Sequence, residues 1–202
     1  MYLSKLTIDV MDRRLMKIFS DIYLLHQFVM SGFSEYENLE RVLFRLEPEI
    51  KHNTAVILIQ SHQKPQWTDI VEQLNGTSSC HVKEFKPQFQ KKSIFRFRLR
   101  ANPVVTRGGK RRGLMCDEAL LDWLSKKSGK IGASFLGVMA IDEGYAVGSR
   151  RKGNRVDRLN IKTARFEGRL VIEEPERFRE SFIAGIGSAK SFGCGLLSLA
   201  KG

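Results

Sequence analysis

The stretch SIFRFRLRANP, residues 93–103, decides how this 202-residue chain is read. Phe95, Phe97 and Leu99 alternate with Arg96, Arg98 and Arg100. A period of two puts the apolar set on one face of a β-strand and the three arginines on the other. Working outward, CDEALLDWLSKK (116–127) has the spacing of an amphipathic helix, and Ser128-Gly129 reads as its stop. SFLGVMAIDEGYAVGS (134–149) and RLNIKTARFEGRLVIEE (158–174) read as long strands joined through RRKGNRV (150–156). PERFRESFIAG (175–185) is a helix with Pro175 in its first turn, where a missing N–H does no harm. GLLSLA (195–200) is a final strand. The order is βαββαβ.

The first half has the same rhythm. YLSKLTIDV (2–10) is a strand, and RRLMKIFSDIYLLHQFVMSGF (13–33) is helical, with Ser20 or Asp21 as N-cap of its second part. RVLFRLEPE (41–49) is a strand ended near Pro48. TAVILIQS (54–61) is so apolar that burial on both faces is expected. QWTDIVEQLN (66–75) is a short helix stopped at Asn75-Gly76, and CHVKEFKP (80–87) is a strand. The expected class is α+β: two tandem ferredoxin-like (βαββαβ, RRM-like) units, residues 1–88 and 92–202, with a glycine-rich loop before the last strand.

Charge divides the chain in another way. Residues 1–90 carry 10 Lys and Arg against 11 Asp and Glu, whereas residues 91–202 carry 24 against 11. The entire net charge of +12 therefore comes from the second half, which points to a polyanion, with nucleic acid first among candidates. No apolar run approaches the ~20 residues of a membrane span. MYLSKLTIDV lacks the basic start and apolar core of a signal peptide, and Cys80, Cys116 and Cys194 form neither a zinc spacing nor a disulfide framework. A cytoplasmic protein without membrane, metal or cofactor is expected.

GIGSAKSFGCG (185–195) is the least ordinary segment. It is not a P-loop, because Ala184 and Ala189 stand where glycines are required, and Lys190 holds the third glycine position of a dinucleotide loop. Gly185, Gly187, Gly193 and Gly195 instead allow close approach of the backbone to a helix or to a phosphate chain, and Lys190 sits between them. Basic side chains gather in three further places: Arg96, Arg98 and Arg100 on one strand face; Arg107, Lys110, Arg111 and Arg112 in a glycine-containing loop; Arg150, Arg151, Lys152, Arg155 and Arg158 at the tip of a hairpin, with Lys162 beyond it. Three arginines in a row on one face repel one another unless anions or carboxylates intervene. A basic two-stranded ribbon suits the end or loop of a short RNA stem better than a long A-form duplex, whose deep groove is narrow. Tyr23 and His26 lie three residues apart on one helix, so they share a side. His26 suits proton transfer near neutral pH, and a histidine merely packed among Ile22, Leu25 and Val29 is the competing reading. His52, His62 and His81 have no ligand or catalytic spacing to it.

Two ferredoxin-like units, Tyr23 and His26 in the first helical region, FRLRANP opening the second unit and GIGSAKSFGCG before the last strand together resemble the CasE (Cse) family. These are the CRISPR repeat-processing endoribonucleases of the type I-E Cascade complex. The resemblance covers essentially the whole chain. It implies cleavage of precursor RNA at the base of each repeat stem-loop, without metal, and retention of the product beside other Cascade subunits. It matches His26 to the catalytic histidine and Tyr23 to the tyrosine beside it, the glycine segment to the family's glycine-rich loop, and the basic hairpin to the one that engages the stem. Metal-free cutting uses the RNA's own 2′-OH and leaves a 5′-OH and a 2′,3′-cyclic phosphate. It needs a base, an acid and a cation. His26 fits base or acid, and Arg151, Lys152, Lys162 and Lys190 all fit as the cation. The alternative is a non-catalytic subunit that binds structured RNA. The oligomeric state of the free chain has no signature in the sequence.

Overall fold

The computed structural model describes residues 1–11, 13–34, 40–50, 53–72, 74, 78–153 and 155–202, without the side chains of residues 13, 14 and 152. Strand β1 (Tyr2–Asp9) buries Ser4, Leu6 and Ile8 on one face, as its alternation requires. It lies between β3 (Thr54–Ser61) and β4 (Ser79–Glu84), with Leu6 opposite Ile57 on one side and Cys80 on the other. With β2 (Leu43–Leu46) at the far edge, the order is β2-β3-β1-β4 and the pairs are antiparallel, a ferredoxin-like sheet. Helices α1 (Arg13–Ser20) and α2 (Ile22–Met30), with α3 (Thr68–Glu72), complete the unit. Leu25, Phe28 and Val29 of α2 pack with Leu6, Ile8, Ile57 and Ile59 of the sheet and with Trp67.

The helical run from residue 13 divides into two helices, and of the two expected caps it is Asp21, in an extended backbone (φ −124°), that opens the second. One expectation changes here. The apolar β3 is not buried on both faces: Ala55, Ile57 and Ile59 are buried while Val56 and Leu58 are only partly so. The core lies on one side of an antiparallel sheet, so strand hydrophobicity alone overstates burial. The helix stop expected at Asn75-Gly76 lies outside the described residues.

The second sheet repeats the plan. Strand β5 (Ile94–Ala101) buries Phe97 and Leu99 and lies between β9 (Arg155–Ile172) and β10 (Leu197–Lys201); β8 (Ala133–Lys152) closes the order β10-β5-β9-β8. Helices α4 (Asp117–Ser125), α5 (Ser128–Ile131) and α6 (Pro175–Ala184) supply Leu120, Trp123, Leu124, Ile131, Phe178 and Phe182 to its core. Ser128-Gly129 does not end the helical region. It opens α5, which stops at Gly132 in the left-handed region (φ +77°), where a Cβ would come within 2.8 Å of the Glu174 carbonyl. The loop expected around Arg107–Arg112 is a hairpin of β6 (Val104–Arg107) and β7 (Lys110–Gly113). Its turn is Gly108-Gly109, both with positive φ, which matches the strand twist that two-residue hairpins favour.

Two compact units result. One comprises Met1–Lys86, Val147–Asn160 and Ser191–Gly193; the other comprises Pro87–Ala146, Ile161–Lys190 and Cys194–Gly202. Among the described residues no helix is long and apolar enough to cross a membrane.

Candidate active site

The first unit gathers three pieces of chain at the start of α2. Asp21 Oδ1 accepts the N–H groups of Tyr23 (2.8 Å) and Leu24 (3.1 Å), which satisfies two of the helix's free donors. Its Oδ2 accepts the N–H of Ser149 at 3.0 Å and the Ser149 hydroxyl at 3.3 Å. One carboxylate thus fixes both the catalytic-helix candidate and the base of the basic hairpin. The approach is close enough to require glycine at 148. A Cβ there would lie 2.7 Å from Asp21 Oδ1 and 3.0 Å from the Tyr23 nitrogen. Two residues on, the Arg150 guanidinium lies 6.0 Å from the Tyr23 ring centroid, at the outer range of a cation–π contact.

His26 follows one turn after Tyr23 and is partly buried. Its Nδ1 is shut off from solvent and has no hydrogen-bond partner among the described residues. Phe192, in the third piece of chain, meets the imidazole edge-on at 5.9 Å between centroids and 61° between planes. Burial pushes the His26 pKa below its ordinary 6.5, so the ring is neutral at neutral pH. With Nδ1 enclosed, Nε2 is the nitrogen left for proton exchange. Among the other histidines, His62 pairs with Glu40 at 2.9 Å, His81 is exposed on β4 and His52 lies outside the described residues.

The basic side chains fall into distinct environments. Arg150, Arg151, Arg155 and Arg158 are exposed on the part of the hairpin that belongs to the first unit. Arg155 pairs with Asp157 at 2.6 Å, and the Lys152 side chain lies outside the described residues. In the second unit, Arg98 pairs with Glu167 (2.8 Å) and Arg100 with Glu143 (2.5 Å), while Arg165 reaches both carboxylates. Interleaved glutamates therefore relieve the arginine repulsion on this face, and Arg96 stays exposed at its end. Lys162 is buried and pairs with Asp142, whose carboxyl is held below its ordinary pKa by that hydrogen bond. Arg107, Lys110, Arg111 and Arg112 are exposed on the β6–β7 hairpin.

The glycine segment is tied down at both ends. Ile186 N–H donates to the Gly195 carbonyl (2.9 Å), and Gly195 N–H donates to the Arg100 carbonyl (2.8 Å). Lys190 donates to the Ala184 carbonyl at 2.7 Å, at the C-terminal end of α6. Gly185, Gly187, Gly193 and Gly195 all have positive φ, and Gly193 and Gly195 are buried. Cys194 is fully buried and its thiol is pushed up to about 12, which makes it a packing group rather than a nucleophile. Three features of the site have no counterpart in the sequence reading: Ser149, Phe192 and the second hydrogen-bonding role of Asp21. Phe192 alone left a signal, as an aromatic residue inside a glycine run.

Comparison with known proteins points one way. A family model described as CRISPR associated protein matches residues 1–201. The chain is 30% identical over 212 residues to the CRISPR-associated endoribonuclease Cse3 of Thermus thermophilus, covering 99% of this chain and 100% of that one. It is 32% identical over 216 residues to the CRISPR system Cascade subunit CasE of Escherichia coli K12, covering 99% of each. Among solved structures, CRISPR endoribonuclease Cse3 bound to a 19-nucleotide RNA matches with a TM-score of 0.86 at 30% identity, over 99% of this chain and 100% of that one.

Proposed function

The chain belongs to the CRISPR-associated protein family that includes these endoribonucleases, and on that premise we propose that it cuts CRISPR precursor RNA at the base of the repeat stem-loop. It then stays on the mature guide RNA as a Cascade subunit in the cytoplasm. The reaction is an attack by the 2′-OH on the neighbouring phosphorus. The O2′–P bond forms and the P–O5′ bond breaks, the leaving oxygen takes a proton from solvent water, and a 2′,3′-cyclic phosphate and a 5′-OH result. His26 takes the 2′-OH proton at Nε2, because burial keeps the imidazole neutral and ready to accept. Tyr23 hydrogen-bonds the reacting phosphate through its hydroxyl, and the hairpin arginines Arg150 and Arg151 balance the developing charge. Arg155 and Arg158, with Arg107, Lys110, Arg111 and Arg112 of the second unit, hold the stem through its phosphates.

The observation that carries this reading is Asp21, which holds the N-terminus of α2 and the foot of the basic hairpin through one carboxylate. It is the means by which a proton acceptor and cations are kept together in one unit. His26→Ala is expected to bind the repeat hairpin as the parent does and to cut it about 10²–10⁴-fold more slowly, with parent cleavage persisting in EDTA. A deoxy substitution at the nucleophilic 2′ position should stop cutting and leave binding intact. A His26→Ala protein that cuts at the parent's rate would leave the non-catalytic RNA-binding subunit as the surviving function.

A further inference from the structure

The second unit contains a groove of about 680 Å³ beside the first half of the glycine segment. Arg111, Lys127 and Lys130 line it, with Trp123 and Ser188. No carboxylate pairs with any of these three cations among the described residues. By contrast, the neighbouring Lys126, outside the groove, pairs with Asp122 at 2.6 Å. Two of the three are held in place. Arg111 Nη2 donates to Ser188 Oγ (2.9 Å), the Ser188 hydroxyl donates to Asn102 Oδ1 (2.9 Å), and the Asn102 amide donates to the Lys162 carbonyl (2.6 Å). Asn102 is 6% exposed, so this relay is anchored in the core. Lys127 Nζ stands 5.2 Å from the centre of the Trp123 ring. The backbone of the glycine segment contributes as well. The N–H groups of Gly187 and Ser188 have no protein acceptor among the described residues, and Gly187 takes φ +85°.

A groove with positioned cations, open backbone donors and no carboxylate suits a phosphate group. Trp123 does not offer a base-stacking face, because Phe166 stacks on its ring at 5.8 Å and Lys127 stands over it. We infer that Arg111, Lys127, Lys130 and the N–H groups of Gly187 and Ser188 form a phosphate site, filled by a backbone phosphate of the RNA. The RNA as its source rests on the function proposed above; the site itself does not.

Two arms of one experiment separate these. In the first, Lys127→Gln with Lys130→Gln is compared with the parent and with Lys126→Gln for binding to the repeat RNA across a salt series. The groove variant is expected to bind about tenfold more weakly, with a log K against log salt slope shallower by about 0.7–0.9, the worth of one neutralised phosphate. Lys126→Gln should behave as the parent, and melting temperatures should agree. In the second arm, inorganic phosphate is titrated into the parent, and the amide resonances of Gly187 and Ser188 should move in the parent and stay still in the groove variant. An unchanged RNA slope with moving amides would overturn the RNA assignment and leave a small-anion site. No response in either arm would overturn the site. A parent that bound no repeat RNA would sink the proposed function, and the second arm alone would then decide the groove.

Discussion

Two groups of arginines in this chain share a composition and differ in circumstance. On the β5–β9 face, Arg98, Arg100 and Arg165 are partly buried and interlocked with Glu143 and Glu167. At the hairpin tip, Arg150, Arg151, Arg155 and Arg158 are exposed, and Arg155 pairs with the half-buried Asp157. Formal charge counts both groups alike. Free energy does not: a paired guanidinium in a partly buried network helps hold a sheet together, whereas an exposed one is available to a polyanion. The excess charge of the second half thus overstates its capacity for RNA, and much of the available part lies on chain that packs with the first unit.

The largest expected effect breaks the comparison at the tip. Replacing Arg150, Arg151 and Arg155 together by Ala should weaken hairpin-RNA binding by about 10²-fold at moderate salt. The salt slope should become shallower by about 0.9 for each phosphate that is no longer neutralised. Melting temperature should hold, since all three are exposed. An unchanged slope would show that these arginines are no more available than those on the sheet.

A smaller effect of another kind is expected on the sheet. Glu143→Gln leaves Arg100 and Arg165 facing each other without their shared carboxylate, both less than a fifth exposed. A loss of about 1–3 kcal/mol is expected for stranding partly buried charge. That is a fall of several degrees in melting temperature, at about 2–4 °C per kcal/mol for a chain of this size. The salt slope of RNA binding should not change. A shallower slope with an unchanged melting temperature would reverse the assignment and make this face an RNA surface.

The difference between the groups also marks what is legible in the chain before it folds. The alternation of Phe95, Phe97 and Leu99 with arginines is local, and so both βαββαβ orders follow from periodicity and breakers. The pairing of Arg100 with Glu143 or of Arg98 with Glu167 depends on strand register across 43 and 69 positions, which no local pattern encodes. The same holds at the site. Tyr23 and His26 are visible because three residues on a helix share a side. Asp21 is legible as a cap, but its hold on Ser149 spans 128 positions. The hairpin β6–β7 reads as a loop because VVTRGGKRRG has no apolar alternation in its second arm.

Phe192 offers the finest test. It meets the imidazole of His26 edge-on, and the His26 Nδ1 has no hydrogen-bond partner among the described residues to orient it. Packing here takes the place of the carboxylate or carbonyl that usually orients a histidine through its second nitrogen, and the consequences below follow if His26 is the base proposed above. Phe192→Ala should therefore do two things. It loosens the ring, which lowers the cleavage rate by about tenfold, less than removal of the base itself. It also admits water, which relieves the desolvation that holds the His26 pKa below 6.5 and lets it rise toward that value. A base must be neutral, so the rate climbs with pH through the pKa and levels off above it. The parent's climb should lie below pH 6.5, and the variant's should move upward. The defect should then be larger at about pH 6 than at about pH 8, with RNA affinity unchanged and partial rescue by Phe192→Leu. A uniform loss at every pH would mean that Phe192 only stabilises the fold. A rate that falls with rising pH through the same range would make His26 the acid and require another group to take the 2′-OH proton.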